Sequence, residues 1–250
     1  MATTSGSISE LDLPIRQARA APPVWWEKSL RHKIGANKEP LRGLWVVVLG
    51  PDGAGKSSVI EAIGDGIAAG FTQRESYHLR PQMFGGRRRV APNRAPHAQT
   101  ARSMAVTYLK FLYLLAANWL AYFGAVRPQV AQGKLVVFDR YFTDCLVDTR
   151  RYRIPTGTGK VAALVEKLMP QPDLQIVLDA PVDVLHGRKR EVPASEVGRQ
   201  RQEYRQLAEE LPNVVLVDAA RPLAEVVDDV VEQVIERRLR MARERFEAVG

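Results

Sequence analysis

A glycine-rich segment of eight residues, Gly50–Ser57 (GPDGAGKS), constrains this chain more than any other feature. The segment matches the phosphate-binding pattern G-x-x-x-x-G-K-[ST] at every fixed position. The apolar run 44–49 before it is typical of a buried strand, and residues 58–63 after it are typical of the start of a helix. A strand, a glycine-rich turn and a helix in this order form a loop that cradles phosphates, so the sequence predicts a nucleotide-binding site.

The residue types in this loop indicate what each position is expected to do. Glycines let the backbone N–H groups of residues 53–57 curve around a phosphate chain, and the following helix directs its positive end at that chain. We expect Lys56 to contact the β- and γ-phosphates and Ser57 to bind Mg²⁺. The residues of this loop predicted to bind the nucleotide are Gly50, Gly53, Ala54, Gly55, Lys56, Ser57 and Ser58.

Composition limits the class of protein and the kinds of partner. The 250 residues are 46% hydrophobic and 26% charged, which suits one globular domain. The single cysteine, Cys145, excludes an internal disulfide and is expected to be a small buried hydrophobe. The net charge of +8 leaves nucleic acid, an anionic membrane surface and a small polyanionic substrate open as partners.

The basic residues cluster in three places, and the sequence favours a ligand for two of these clusters and leaves the third open. No nucleic-acid motif is present, so we favour phosphate ligands for the clusters at 150–153 and 188–190. The cluster at 87–89 is either a solvated loop or a binding site, because it lies in a segment rich in glycine and proline.

Apolar runs alternate with helix-forming segments along most of the chain. Strands separated by helices form parallel sheets, so we predict an α/β domain at 41–250 with a five-stranded parallel sheet. Residues 1–40 are expected to be a partly disordered extension. The predicted strands are residues 44–49, 76–79, 135–138, 174–178 and 214–217. The predicted helices are residues 56–69, 98–132 with a break before Pro128, 161–168, 182–190, 196–210 and 223–245.

Charged residues follow the predicted strands at the edge where such sheets bind ligands. Asp139 and Arg140 follow the third strand, Asp179 and Asp218 follow the last two, and Arg80 follows the second. We expect Asp139 to hold the Mg²⁺ shell or to orient an acceptor hydroxyl. Arg140 is expected to clamp a phosphate with two parallel N–H groups.

These motifs resemble those of the thymidylate kinase-like group of P-loop kinases, over about residues 42–238. The resemblance implies a P-loop NTPase three-layer sandwich, with helices on both faces of the sheet and a helical lid at about residues 186–200. The residues that carry it are Gly50–Ser57, Arg80-Pro81, Phe138-Asp139-Arg140-Tyr141, and Asp179-Ala180-Pro181 followed by Leu185 and Arg188-Lys189-Arg190.

The resemblance also implies an ATP-dependent phosphotransferase that uses Mg²⁺. Asp52 would face the acceptor, Arg80 would hold an acceptor phosphate, and Arg188 would begin the lid over ATP, with Arg221 on the adenine side. The predicted acceptor-binding residues are Asp52, Arg80, Arg140, Tyr141, Asp148 and Arg151. The predicted catalytic residues are Lys56, Asp139, Arg140, Arg188 and Arg190, and the predicted metal ligands are Ser57 and Asp139.

Two segments differ from the usual thymidylate kinase pattern and bear on the acceptor. Residues 143–153 replace a serine-rich segment, and the second strand ends Tyr-His-Leu-Arg-Pro at 77–81. This variant resembles kinase homologues associated with bacterial surface-polysaccharide synthesis, which implies a sugar, a glycan or another small acceptor. The alternative acceptor is a nucleoside monophosphate, dTMP. A second alternative is a nucleotide-binding regulatory protein with little catalysis.

Two apolar segments raise the question of membrane contact. Trp25-Trp26 lie in a basic segment expected either to dock on the domain or to lie on a membrane surface, with docking preferred. The apolar stretch 111–126 is short and contains Asn118, so it predicts a buried helix rather than a membrane span. The expected location is the cytoplasm, with peripheral contact at the inner face of the membrane. The expected partners are a small-molecule or glycan acceptor and a second copy of the chain in a homodimer, and nucleic acid is not expected.

Overall fold

The computed structural model describes residues 41–66, 70–78 and 103–247. The predictions for residues 1–40, the arginine cluster at 87–89 and Arg80 concern positions outside these ranges. The strands are β1 Leu44–Leu49, β2 Arg74–His78, β3 Leu135–Asp139, β4 Leu174–Asp179 and β5 Val214–Asp218. The helices are α1 Lys56–Gly66, α2 Met104–Ala121, α3 Arg127–Ala131, α4 Thr143–Val147, α5 Gly159–Leu168, α6 Val182–Arg188, α7 Ala194–Glu210 and α8 Leu223–Glu247.

The five strands form one parallel sheet in the order β2-β3-β1-β4-β5. Strand β1 pairs with β3 on one side and with β4 on the other, which places it in the middle of the sheet. The chain moves to one side of β1 for β2 and β3 and to the other for β4 and β5, so the loop after β1 lies where the order reverses. A crevice opens at such a point, beyond the carboxyl ends of the strands.

The sheet lies between two apolar layers because neighbouring side chains of each buried strand point to opposite faces. In β1, Val46 and Val48 pack into the layer formed with α1, α6 and α8. Trp45, Val47 and Leu49 of the same strand pack into the layer formed with α2 to α5. Helix α7 contributes to both layers. The predicted three-layer α/β sandwich with a parallel sheet is confirmed.

Most predicted elements agree with the structure, and the differences occur at their ends. Strand β2 begins at Arg74, two residues earlier than predicted, and α6 ends at Arg188 instead of residue 190. The predicted break before Pro128 is wrong: the helix continues through a π-helical segment, Tyr122–Val126, into α3, where Pro128 lies in the first turn. Proline suits that position because a first-turn residue needs no backbone donor. Cys145 is buried, as expected.

The prediction of a buried helix at 111–126 is wrong for most of its side chains. Phe111 and Ala121 are buried, but large apolar residues at spacings of three and four are exposed along another side of α2. Two residues of α5 extend this exposed area, and the two helices are joined by a hydrogen bond from Trp119 Nε1 to the Leu168 carbonyl at 3.0 Å. We call this area the α2–α5 apolar surface, and it comprises Leu109, Leu112, Leu120, Phe123, Leu164 and Leu168.

Apolar composition cannot distinguish a helix that packs in a core from one that a partner covers. Among the described residues, one helical stretch, Met104–Ala131, is long and apolar enough to cross a membrane by length and composition.

Candidate active site

The loop after β1 is shaped by three glycines in the left-handed backbone region. Gly50, Gly53 and Gly55 have φ values of 139°, 88° and 86°. A Cβ atom at Gly50 would lie 2.6 Å from the carbonyl oxygen of Leu178 in β4, and one at Gly53 would lie 2.4 Å from that of Leu185 in α6. These two positions require glycine because the backbones of neighbouring elements approach too closely for any side chain.

Lys56 begins α1 and closes the loop on itself. Its Nζ donates to the carbonyl oxygens of Gly50 at 2.7 Å and Pro51 at 2.8 Å. Burial, together with the nearby positive charge of Arg140, lowers the pKa of Lys56 to about 7. Ser57 and Ser58 follow it at the exposed start of α1, where backbone N–H groups have no helical partner. The loop therefore presents a lysine and free N–H groups to an incoming polyphosphate.

Arg140 connects the loop to the segment after β3. Its Nη2 donates to Asp52 Oδ1 at 2.6 Å, and its Nη1 donates to Asp144 Oδ2 at 2.6 Å. Arg140 is buried, and burial opposes its charge, but the carboxylates of Asp144 and Asp52 raise its pKa above the ordinary value. The guanidinium is thus held between two carboxylates at the centre of the crevice.

Two further cations face the same carboxylate of the loop. Arg151 Nη1 donates to Asp52 Oδ2 at 3.0 Å, and Lys189 Nζ lies 3.9 Å from the same oxygen. Burial opposes ionisation of Asp52, but the charges of Arg140, Arg151, Lys56 and Lys189 hold its pKa well below the usual value. Asp148 orients Arg151, since its Oδ1 accepts the Arg151 backbone N–H at 3.0 Å. The predicted acceptor residues Asp52, Arg140, Asp148 and Arg151 are therefore brought together.

Asp139 has the properties of a metal-binding carboxylate. Its Oδ1 is buried and accepts no hydrogen bond from the described residues, while its Oδ2 lies 3.1 Å from His78 Nδ1. Burial opposes ionisation of Asp139, but the hydrogen bond with His78 and the charges of Lys56 and Arg140 bring its pKa below the usual value.

The donor set at this position fits Mg²⁺. A free carboxylate oxygen with an exposed serine hydroxyl at the loop supplies the oxygen ligands that Mg²⁺ prefers. In the described ranges no group of three or more His, Cys, Asp or Glu side chains could hold a metal. Mg²⁺ commonly uses one or two protein ligands together with substrate phosphates, so the sparse protein set is sufficient.

The residues predicted at the lid and on the adenine side are separated from the Asp52 cluster. Arg188 Nη1 donates to the carbonyl oxygen of Ala219, after β5, at 2.8 Å. Arg221 lies on the same loop, two residues after Ala219. It pairs with Asp229, and its Nε lies 3.8 Å from Asp218 Oδ2. Arg190 is exposed. Within the segment predicted to form the lid, the cation near Asp52 is Lys189, and its sequence signal is its place between two arginines.

Tyr141 does not join the acceptor residues. Its hydroxyl donates to the carbonyl oxygen of Pro170 at 2.7 Å, and its ring packs edge-on against Trp45 at 5.3 Å between centroids. The side chain is buried in the apolar layer below the sheet, because the sharp turn at Arg140 directs the next residue away from the crevice. This placement gives Tyr141 a packing role, and we do not keep it among the acceptor-binding residues.

A phosphate loop in the crevice of a parallel sheet, with a lysine, a metal-binding carboxylate and clustered cations, defines a P-loop phosphotransferase. The thymidylate kinase family model matches residues 48–230, and the chain belongs to this family. It is accordingly an ATP-dependent kinase.

Similar proteins align over most of their length. A thymidylate kinase from Limosilactobacillus fermentum is 28% identical over 206 residues, which cover 76% of this chain and 94% of the relative. A thymidylate kinase from Pseudomonas savastanoi is 29% identical over 225 residues, or 79% of this chain and 99% of the relative. The solved thymidylate kinase of Candida albicans has a TM-score of 0.55 at 14% identity, covering 79% of this chain and 94% of that chain, which supports the fold.

Proposed function

We propose that this kinase transfers the γ-phosphoryl group of ATP to a nucleoside monophosphate, with dTMP as the first candidate. The relatives described above are thymidylate kinases and align with this chain over 94% and 99% of their own length. This observation carries the proposal. It favours the alternative acceptor over the sugar or glycan of polysaccharide synthesis that the sequence led us to expect, for which the comparisons offer no support.

The donor end of the reaction is assigned to the loop. Lys56 Nζ, which contacts two loop carbonyls, would turn to the β- and γ-phosphates, while N–H groups of residues 53–57 bind the phosphate oxygens. Ser57 and Asp139 would hold Mg²⁺, which neutralises charge on the phosphates when bound. Arg188 and Arg221, beside the loop after β5, are assigned to the adenine side of ATP.

The acceptor end is assigned to Arg140 and Arg151. Arg151 is the more accessible of the two, with 25% of its side chain exposed against 8% for Arg140. An acceptor phosphate would therefore draw Arg151 away from Asp52 first, and Asp52 would become free to accept a hydrogen bond from an acceptor hydroxyl. Arg80, outside the described residues, remains a proposed second cation for that phosphate.

Residues outside the phosphate loop must supply part of the positive charge around the transferring group. Position 54 is an alanine, so any cation beyond Lys56 of the loop must come from other elements, and those that face Asp52 are Arg140, Arg151 and Lys189. Phosphoryl transfer has no covalent intermediate with the protein, so positioning and charge stabilisation supply the catalysis. Arg190 remains a proposed contributor from the lid.

The test is transfer of labelled phosphate from ATP to dTMP, other nucleoside monophosphates, free sugars and glycans. We expect dTMP to be the best acceptor and Lys56→Ala to lower turnover by about 10²–10⁴-fold. Arg151→Ala should raise the KM for the acceptor, whereas Arg243→Ala, which removes the same charge from the exposed side of α8, should not. Transfer to a sugar but to no nucleoside monophosphate would overturn the proposal. Tight ATP binding with only slow hydrolysis would favour the regulatory alternative.

We also assign the α2–α5 apolar surface to a second copy of the chain. The 18 residues of α2 include one charged side chain, Lys110, whose Nζ donates to the carbonyl oxygen of Tyr152 at 3.1 Å. Two copies packed through α2 about a two-fold axis would therefore bury the exposed leucines of that helix without opposing like charges from it. A cytoplasmic location suits this assignment, and vesicle binding in place of self-association would favour the peripheral membrane contact.

A further inference from the structure

The segment after β3 contains a buried carboxylate that the donor and acceptor assignments do not use. Asp144 in α4 is fully buried, with no exposed surface. Three donors converge on it: Arg140 Nη1 at 2.6 Å and the Tyr152 hydroxyl at 2.9 Å on Oδ2, and the Tyr204 hydroxyl on Oδ1. A buried carboxylate is stable only when its oxygens are paired in this way.

The two tyrosines remain donors throughout the physiological range. Burial and the neighbouring charge of Asp144 raise the pKa of Tyr152 and of Tyr204 well above the ordinary value. Both hydroxyls therefore keep their protons and donate them to Asp144, and the orientation of the carboxylate follows the positions of both rings.

Arg140 needs such support because its backbone is strained. Its φ of 70° lies in the left-handed region, where a residue with a Cβ atom is strained unless its surroundings hold it. Its guanidinium is fixed at both ends, by Asp52 on the loop and by Asp144 beneath. In the proposed acceptor complex Asp52 would exchange Arg151 for an acceptor hydroxyl, whereas the buried Asp144 would keep its partners, so Asp144 is the more constant support of Arg140.

We propose that Asp144, Tyr152 and Tyr204 are positioning residues that hold Arg140 in the geometry the acceptor phosphate requires. The inference rests on the proposed role of Arg140 at the acceptor. Tyr204 lies on α7, which begins directly after residues 189–193, the segment that follows α6. The same helix contacts α4 a second time, through Arg199 Nη2 and the carbonyl oxygen of Val147 at 2.7 Å. The docking of α7 thereby contributes to the position of Arg140.

The kinetic test is Tyr204→Phe, which removes one hydroxyl and leaves Arg140 and Tyr152 on the carboxylate. We expect kcat/KM for the acceptor to fall about tenfold, the cost of one charge-assisted hydrogen bond, with the KM for ATP unchanged. Tyr77→Phe is the matched control, since its hydroxyl accepts from Gln129 Nε2 at 2.8 Å and lies outside this network. Equal kinetics for the two variants would overturn the inference.

A double-mutant cycle asks whether Tyr204 acts through Arg140. In an Arg140→Ala background, Tyr204→Phe should change kcat/KM for the acceptor by less than about twofold, because the group it positions is gone. A second tenfold loss in that background would show that Tyr204 acts by another route and would contradict the proposal.

A spectroscopic measurement tests whether Tyr204 holds the Arg140 guanidinium in place, even if dTMP proves not to be the acceptor. The Nη groups of a clamped guanidinium give separate NMR signals, and those of a freely rotating one average. We expect separate Arg140 signals in wild type and Tyr77→Phe and averaged signals in Tyr204→Phe, with Arg140→Lys identifying the resonances. Unchanged signals in Tyr204→Phe would overturn the inference, whereas a wild type with clamped Arg140 but no transfer to dTMP would contradict only the proposed acceptor.

Discussion

Replacing Gly53 with alanine tests how closely the phosphate loop depends on the backbone of α6. The new Cβ would lie 2.4 Å from the Leu185 carbonyl oxygen and 3.2 Å from its carbon. Those atoms belong to a helix backbone and cannot rotate away. The same oxygen accepts the backbone N–H of Lys189 at 3.0 Å, so any shift that relieves the contact also displaces the cation facing Asp52.

The expected loss of stability has two parts. Holding alanine at a φ of 88° costs about 1–2 kcal/mol, and relieving the overlap costs about 1–3 kcal/mol. The sum, about 2–5 kcal/mol, corresponds to a fall in Tm of about 5–15 °C for a domain of this size. We expect ATP affinity to fall as well, since the loop and Lys189 move together.

Two other glycines separate these contributions in thermal or urea unfolding. Gly55→Ala carries a similar φ of 86° but meets nothing within 4 Å, so it should show the backbone strain alone. Gly187→Ala in α6 meets nothing within 4 Å at an ordinary φ, and helix propensity should stabilise it by up to about 1 kcal/mol. Gly53→Ala unfolding at the same temperature as Gly55→Ala would refute the claim that α6 limits the loop.

Three further outcomes follow from the site and the surface. Lys56, with a pKa of about 7, is mostly neutral at about pH 8, and the negative charge of bound ATP should restore its proton. ATP binding at about pH 8 should therefore take up about 0.9 proton, and the affinity for ATP should fall as the pH rises above about 7. Calorimetry in two buffers measures this uptake, and binding heats that are independent of the buffer would contradict it. Asp139→Asn should raise the Mg²⁺ concentration for half-maximal activity by about tenfold or more, and an unchanged Mg²⁺ titration would remove Asp139 from the metal site. Leu109→Glu combined with Leu120→Glu should convert a dimer to a monomer in light scattering, whereas Leu216→Glu on the exposed side of β5 should not; a monomeric wild type would contradict the assignment.

The parts of the fold that the sequence predicts are those with a local cause. Central strands of a parallel sheet are buried on both faces, so β1 and β3 appear as continuous apolar runs and β4 as an apolar run interrupted by Gln175. The loop after β1 is recognisable because its glycines and lysine lie within eight residues. Strand order has no comparable local signal, since it depends on pairings between distant segments.

The residues that sequence reasoning missed depend on contacts made far along the chain. Asp144 and Tyr204 are 60 positions apart, and neither is part of a recognisable motif. Helix α4, only five residues long, is too short for a periodic pattern. The exposure of Leu109 and Leu120 shows a further limit, because hydrophobicity indicates that a side chain avoids water without indicating what covers it.

The most direct measurement of the central claim is ³¹P NMR of the wild-type protein with ATP, Mg²⁺ and dTMP. The account predicts equal amounts of ADP and dTDP as products, with no accumulation of inorganic phosphate, and loss of both in Lys56→Ala. A folded protein that binds ATP but forms no dTDP, or forms ADP and inorganic phosphate alone, would contradict it.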